Sequence, residues 1–471
     1  MNNKLSKLNL KSNIKCVHFI GIGGISMSGL AEILHYDGYI VSGSDWFASD
    51  ITKHLSGLGI NVQLGNDAAH ISEDIDLVIH TAAVKPDNPE LVEAKNKNIK
   101  VIDRAKLLGS IIEGYKYSVA VAGVHGKTTT TAIVAETLLK ADYDPTISIG
   151  GFMDTIGSNF RIGKSPYFVL EACEYFDSFL QFYPHIGIIL NIDSDHLDYF
   201  GSLDRLVDSF CRFAKNIPPD GTLIIHKGTP FFKEVTDGLE CNIVTYGTED
   251  ANFFAKNINY NEEGLPTFNI INKTADKENN VAEVTLKLRG LHNIDNSLAA
   301  VAVATVLGIP VPAMVKGLAN ATGAKRRFEH KGTFNDITIV DDYAHHPTEI
   351  KASLAAAKGT HKRIICVFQS HTYSRTQNLL GDFATSFKDA DVVLILPIYA
   401  AREVSTGPYP NYLAELLTKG IQDDGTEAHF VNNFEDAAAW IKKHSTCGDL
   451  LVTMGAGDVF LLGEGLLAGE F

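Results

Sequence analysis

Short unbroken apolar runs recur along this chain, each followed by a glycine or polar turn and then by apolar residues at helical spacing. The first block, from about Lys15 to Gly114, opens with "KCVHFI", a glycine turn, and "SMSGLAEILHYDG" as an amphipathic helix. "YIVSGSD" follows as a second strand, so the block reads as a β-loop-α-β unit of Rossmann type. "EGYKYS" links it to a second block, which begins with a strand at Val119. A short glycine loop comes next, then a helix with Ile133, Val134, Thr137 and Leu138 on one face. "YFVLEAC" and "IGIILNI" are apolar runs of the buried-strand kind. Between Thr222 and Leu291 the pattern changes to short strands and polar turns such as "NEEGLP" and "ADKENN". The helix "HNIDNSLAAVAVATVLG" closes the block near Pro310. From about Gly323 strand and helix alternate again, in "DITIVDDYA", "PTEIKASLAAAK", "RIICVFQS", "TQNLLGDFATSF", "DVVLILPIYA", "DAAAWIKKH" and "LLVTMGAG". The pattern predicts an α/β chain of three domains, residues 1–114, 115–322 and 323–471. The outer two are Rossmann-like; the central one is a nucleotide-binding domain with a mostly parallel sheet.

Charge narrows the partners. The net charge is −15, from 41 basic and 56 acidic residues, which argues against nucleic acid or an anionic membrane as the main partner. A small anionic ligand stays open, because a few local cations and backbone N–H groups suffice to hold one. The apolar runs fall short of a membrane span, and "MNNKLSKLNLKSN" has no apolar signal core, so a cytoplasmic protein is expected. The cysteines Cys16, Cys173, Cys211, Cys241, Cys366 and Cys447 are scattered. They suggest neither a disulfide framework nor a zinc site, and most are expected to be buried free thiols.

Five constellations carry chemistry. "GVHGKTTTT" places Gly123, His125 and Gly126 between a strand and a helix, where backbone N–H groups and the helix dipole suit a phosphate. Lys127 would reach the β- and γ-phosphates and Thr128 would offer its hydroxyl to Mg²⁺, with Thr129 beside it. The loop has two residues between its glycines where the usual phosphate loop has four before Gly-Lys. In "GIGGISMSGLA", Gly21 and Gly23 fit the start of a dinucleotide fingerprint whose third glycine is here Ser26. Asp45 ends the next strand, at the height of a ribose. That pattern suits NAD and another diphosphate, such as a nucleotide sugar, equally well. Glu171 ends one buried strand and His196 follows the next. The pair suits metal ions bridging phosphate and substrate, or two plain loop residues. "VDDYAHHPTE" and "FQSHTYSRT" bring Asp341, Asp342, His345, His346, His371 and Arg375 to neighbouring strand ends of the third block. "KRRF" offers Lys325, Arg326 and Arg327, arginine forks for phosphate or carboxylate, or a solvated linker.

Together with "HNIDNSLAA" and "IYAAREV", these motifs resemble the Mur ligase family over essentially the whole chain, and the shortened G-x-x-G-K-T-T loop is that family's ATP site. The resemblance implies ATP-dependent ligation of L-alanine to the carboxylate of UDP-N-acetylmuramate through an acyl phosphate. ATP and Mg²⁺ are the implied cofactors, and the implied state is a monomer or weak homodimer. It implies that Gly21, Gly23, Gly24, Ser44, Asp45 and Thr81 lie along the UDP moiety. Lys127 and Thr128 would hold the ATP phosphates and a first Mg²⁺, and Glu171 and His196 match the family's metal-linked pair. Asn293 and Asn296 match its adenine contacts, while Arg327 and Asp342 match positions near the ATP phosphates and ribose. Tyr343, His345, His371 and Arg375 would face the amino acid and the acyl centre, with His345 a candidate base. This chain has Ser26, Val124 and Thr372 where many relatives carry Gly, Thr and Arg. The rival readings are a ligase recycling a murein tripeptide, an NAD-dependent oxidoreductase and a non-catalytic nucleotide-binding regulator.

Overall fold

The computed structural model describes residues 14–81, 84–195, 197–274, 277–359, 361–401, 403 and 409–471. The chain divides into two compact units, residues 1–254, 271–282 and 296–318 forming one, residues 255–270, 283–295 and 319–471 the other.

The first sheet is formed by β1 (Cys16–Ile20), β2 (Ile40–Asp45), β3 (Asn61–Leu64), β4 (Leu77–His80) and β5 (Lys100–Asp103), in the order β3-β2-β1-β4-β5. All its pairings are parallel, and the order reverses between β1 and β4, the place where an open α/β sheet forms a ligand crevice. Its helices are α1 (Ile25–Tyr36), α2 (Asp50–Gly57), α3 (Pro89–Asn96) and α4 (Arg104–Ile112). The spacing of Met27, Leu30, Ala31, Ile33 and Leu34 puts them on the covered side of α1, and all five are buried.

The second sheet holds β6 (Tyr117–Ala122), β7 (Thr146–Met153), β8 (Ser158–Arg161), β9 (Tyr167–Glu171), β10 (Ile186–Ile189), β11 (Thr222–His226), β12 (Asn242–Gly247), β13 (Phe253–Tyr260), β14 (Pro266–Thr274) and β15 (Lys277–Thr285). Their order is β15-β14-β13-β12-β11-β10-β6-β9-β7-β8. β6 runs parallel between β10 and β9, and its residues Ser118 to Ala122 are all buried, as a strand covered on both faces requires. The helix after it, α5 (Lys127–Lys140), is buried from Thr128 to Leu138, on every side rather than on one face. In the threonine run at its start Thr131 Oγ1 bonds back to Lys127 O at 2.8 Å, as Thr137 Oγ1 does further on to Ile133 O at 2.8 Å.

Two glycines let α1 and α4 approach this second layer. A Cβ on Gly29 would lie 2.3 Å from the ring of Phe160 on β8, and one on Gly109 would lie 2.0 Å from Gln181 O. Only a hydrogen fits at either place.

The third sheet contains β16 (Glu329–Phe334), β17 (Ile337–Asp342), β18 (Ile364–Phe368), β19 (Val392–Ile395), β20 (Glu427–Phe430) and β21 (Leu450–Met454), ordered β16-β17-β21-β18-β19-β20. It is parallel except for β16 against β17. The α/β fold class with mostly parallel sheets is as the pattern predicts.

Three expectations need correction. "KENN" belongs to β15, not to a turn; its four residues are exposed at the rim of the sheet, so no apolar alternation marked them as strand. "TQNLLGDFATSF" is two short helices, Tyr373–Asn378 and Leu380–Ala384, because Leu379 between them leaves helical geometry at φ −111 and ψ 18. All six cysteines are free, but only Cys241 and Cys366 are buried. Among the described residues no helix is long and apolar enough to cross a membrane.

Candidate functional site

The loop between β6 and α5 is built by glycines at positive φ, +140° at Gly123 and +83° at Gly126. Side chains would also collide, since a Cβ on Gly123 would sit 2.9 Å from Leu190 Cβ and one on Gly126 2.9 Å from Asn296 Oδ1. Asn296, on helix Leu291–Val306, therefore stands directly against the loop. Asn293 belongs to the other unit and donates to Arg289 O at 2.7 Å.

Lys127, the first residue of α5, turns its ammonium back onto the loop. Nζ donates to Gly123 O at 2.6 Å and Val124 O at 3.1 Å, and to the two carboxylate oxygens of Glu174 at 3.2 and 2.9 Å. Burial alone would lower its pKa, but Glu174, then Cys173 and Glu171, outweigh that and raise it, so the amine is a cation. Thr128 Oγ1 donates to Glu171 Oε2 at 2.9 Å, and the same oxygen takes the Gly150 N–H at 2.8 Å. A hydroxyl and a carboxylate are hard oxygen donors, the set that suits Mg²⁺. His196 lies outside the described residues. His125 is held by Asn191, whose Oδ1 accepts from its N–H at 2.9 Å, and its Nε2 lies 3.2 Å from Asp193 Oδ2. Thr129 is buried one place further along α5.

At the first sheet, Gly21 at φ +80° and Ile22 send their N–H groups to Ser44 O at 2.8 and 2.9 Å. Gly23 N–H donates to Asp45 Oδ2 at 2.8 Å, and a Cβ there would lie 2.8 Å from that oxygen. Gly24 is the N-cap of α1, Ser26 sits inside the helix, and Thr81 follows β4. The Ser44 side chain faces inward, fully buried, and donates to Glu90 Oε2 at 2.6 Å. Glu90 also faces His70 Nδ1 at 2.5 Å, with His18 Nε2 4.0 Å away. Of Ser44, then, it is the carbonyl that shapes the turn.

In the third sheet, Asp341 and Asp342 end β17. Asp342 is buried, which pushes its pKa up to about 6, while the Ser353 hydroxyl at 2.6 Å, the Arg327 guanidinium and the Ala344 N–H work the other way. Arg326 is structural: Nε donates to Asp341 Oδ2 at 2.8 Å, Nη1 to Gly457 O at 3.0 Å and Nη2 to Gly455 O at 2.8 Å. Arg327 lies 5.3 Å from the Tyr343 ring centroid. The Tyr343, His345 and His371 rings follow one another at 5.3 and 6.1 Å, and His371 stacks on Tyr399 at 5.8 Å. His345 Nδ1 meets Tyr343 O at 2.9 Å and Glu349 Oε2 at 3.4 Å. His346 serves as the N-cap of helix Pro347–Ala357. Burial, then the nearby Arg375, lowers the His371 pKa, so its ring is neutral near pH 7. Thr372 caps the Arg375 helix from a left-handed φ of +65°. Glu403 fixes the start of that helix by accepting the Tyr373 N–H at 2.6 Å.

Sequence reasoning missed Glu174, Asn191, Glu90 and Glu403. "CEYFD" carried one usable signal for Glu174, a second carboxylate three residues beyond Glu171. A cavity of about 790 Å³ opens at the amino ends of β6, β10 and β11, lined in part by Lys116, Tyr183, His185, Lys215 and Asp220. None of the residues singled out from the sequence lines it.

Comparison with known families places three models on the chain. "Mur ligase family, catalytic domain" matches residues 16–116, "Mur ligase middle domain" residues 121–304, and "Mur ligase, glutamate ligase domain" residues 326–457. The chain is 49% identical to the UDP-N-acetylmuramate–L-alanine ligase of Clostridium novyi (strain NT), over 98% of this chain and 99% of that protein. It is 46% identical to the ligase of that name from Clostridium perfringens (strain 13 / Type A), over 97% and 98% of the two chains. Among solved structures it is similar to the UDP-N-acetylmuramate-alanine ligase of Thermotoga maritima, with a TM-score of 0.78, 28% identity and coverage of 97% and 99%.

Proposed function

The chain belongs to the Mur ligase family, and from that premise we propose that it joins L-alanine to the carboxylate of UDP-N-acetylmuramate with ATP, a step of peptidoglycan precursor synthesis. One observation carries this reading: near-half identity, end to end, with ligases of that name. A place in the cytoplasm fits such a step.

A carboxylate is a poor acyl donor. Moving the γ-phosphoryl group of ATP onto it gives an acyl phosphate, and the amine of alanine then attacks the carbonyl, expels phosphate and leaves an amide. Phosphoryl transfer needs positioning and charge neutralisation above all. Gly123, His125, Gly126 and Thr129 frame the phosphate seat in this proposal, and Lys127 supplies the cation. Thr128 and Glu171, with His196, would hold Mg²⁺, which when bound offsets phosphate charge. Asn293 and Asn296 would meet the adenine, Arg327 and Asp342 the phosphates and ribose. Gly21, Gly23, Gly24, Asp45 and Thr81, with the Ser44 backbone, would line the UDP moiety.

Tyr343, His345, His371 and Arg375 form the amino-acid end. Arg375 suits the alanine carboxylate. The attacking amine must lose a proton, and His345 and His371 are the imidazoles at hand; burial keeps His371 neutral and able to accept one.

The test is phosphate release with ATP, Mg²⁺ and UDP-N-acetylmuramate, given L-alanine, glycine, L-serine or a murein tripeptide. Release that requires both the muramate substrate and L-alanine is expected. Release with the tripeptide alone would move the protein to the recycling reaction, and release with no pair would overturn the reading.

A further inference from the structure

We propose that Glu174 is a positioning residue for the nucleotide step: its carboxylate stands in for phosphate at the Lys127 ammonium and must give way when ATP binds. The inference rests on reading the 123–128 loop as the ATP-phosphate site.

Four acceptors surround Lys127 Nζ, two loop carbonyls and both oxygens of Glu174, so the three ammonium protons are fully engaged before any nucleotide arrives. Glu174 is 1% exposed, and few positions would place a second anion so close to a phosphate seat without cost. A γ-phosphate approaching the same ammonium meets the carboxylate's negative charge. One of the two anions must withdraw.

The segment behind Glu174 is built under tension. Phe176 and Asp177 take left-handed backbone, φ +56° and +53°, which residues with side chains adopt at a cost. Their surroundings hold them there. Asp177 accepts a short hydrogen bond from Ser209 Oγ and another from Tyr199 OH at 2.8 Å. Phe179, one turn on, is fully buried between Phe213, stacked at 4.8 Å, and Phe210, edge-on at 5.2 Å. Asp177 N–H also donates to Glu174 O at 2.9 Å and Phe179 N–H to Cys173 O at 3.1 Å, so the backbone at Glu174 is fixed to this anchored segment and it is the carboxylate that has to swing away from Lys127.

Glu174→Gln keeps the size and hydrogen-bonding reach and removes the charge. The experiment is calorimetric titration of wild type, Glu174→Gln and Lys127→Ala with ADP and with ATP, alongside steady-state kcat and KM. Glu174→Gln is expected to bind ATP roughly tenfold more tightly, with a lower KM for ATP, no gain in kcat and an unchanged KM for the muramate substrate. A residue that merely supported the fold would weaken ATP binding or move every KM together. Equal or weaker ATP binding by folded Glu174→Gln overturns the proposal. Should that variant fold poorly, Glu174→Asp, which keeps the charge and draws it back, is expected to bind ATP with intermediate affinity; wild-type affinity or weaker overturns the proposal as well. If wild type itself binds no ATP, or binds it regardless of Lys127, the phosphate-loop reading fails instead.

Discussion

The two glycine turns of the first unit look alike in sequence and are wired to different charges. At Gly21–Gly24 the turn's donors are engaged: Gly21 and Ile22 N–H by a carbonyl, Gly23 N–H by the Asp45 carboxylate. At Gly123–Gly126 the neutral Asn191 takes the His125 N–H, and the Gly123 and Val124 carbonyls are engaged by the Lys127 ammonium, which a second carboxylate holds down. Glycine spacing reports only that backbone must come close to something. The charge that decides what it comes close to is supplied from far along the chain, by Asp45 in one case and Glu174 in the other.

The largest effect expected is at the second turn. Lys127→Ala should slow phosphate release by at least about a thousandfold while circular dichroism and muramate binding stay as in wild type. Near-normal turnover in that variant would erase the contrast between the turns.

Acid should separate them next. His18, on the strand that leads into the first turn, is pushed down to about 4 by burial and then by the charge of His70, against 6.5 when unfolded. A lowered pKa means the unfolded chain binds the proton more readily. The stability that goes with a neutral His18 is full above pH 6.5 and fades as pH falls toward 4, by up to about 3 kcal/mol. Lys127 stays charged over that whole range. Titration from pH 7 to 4.5, followed by hydrogen exchange, should therefore loosen the Gly21–Gly24 amides before the Gly123–Gly126 amides; the reverse order would contradict this.

Gly126→Ala comes third. Its φ of +83° and the 2.9 Å approach to Asn296 Oδ1 predict a loss of about 1–3 kcal/mol in chemical denaturation together with weaker ATP binding. The smallest effect is at the first turn: Asp45→Ala should raise KM for the muramate substrate about tenfold and leave KM for ATP alone. Equal changes in both would mean that the two turns are not separate sites.

Much of this was legible in the residues. Strands such as "SVAVA" and "IICVF" are buried on both faces and show as plain apolar runs, and a glycine next to Lys-Thr can hardly sit anywhere but a strand-helix turn. Glu171 was visible because it ends such a run. Glu174, Asn191 and Glu90 were not, because each acts through a partner dozens of residues away and no local periodicity marks it. "KENN" misled for the same physical reason in reverse: an exposed rim strand needs no apolar face and so leaves no trace of itself.

Gly29 and Gly109 set how near the layer of α1 and α4 can lie to Phe160 and Gln181. They act as a spacer of zero thickness, and so as a ruler. The spacing between α1 and Phe160, and between α4 and Gln181, is gauged by two missing methyl groups. Adding one carbon at either glycine would have to displace the Phe160 ring or the Gln181 backbone, so a change far from any polar residue would still be felt between the two layers.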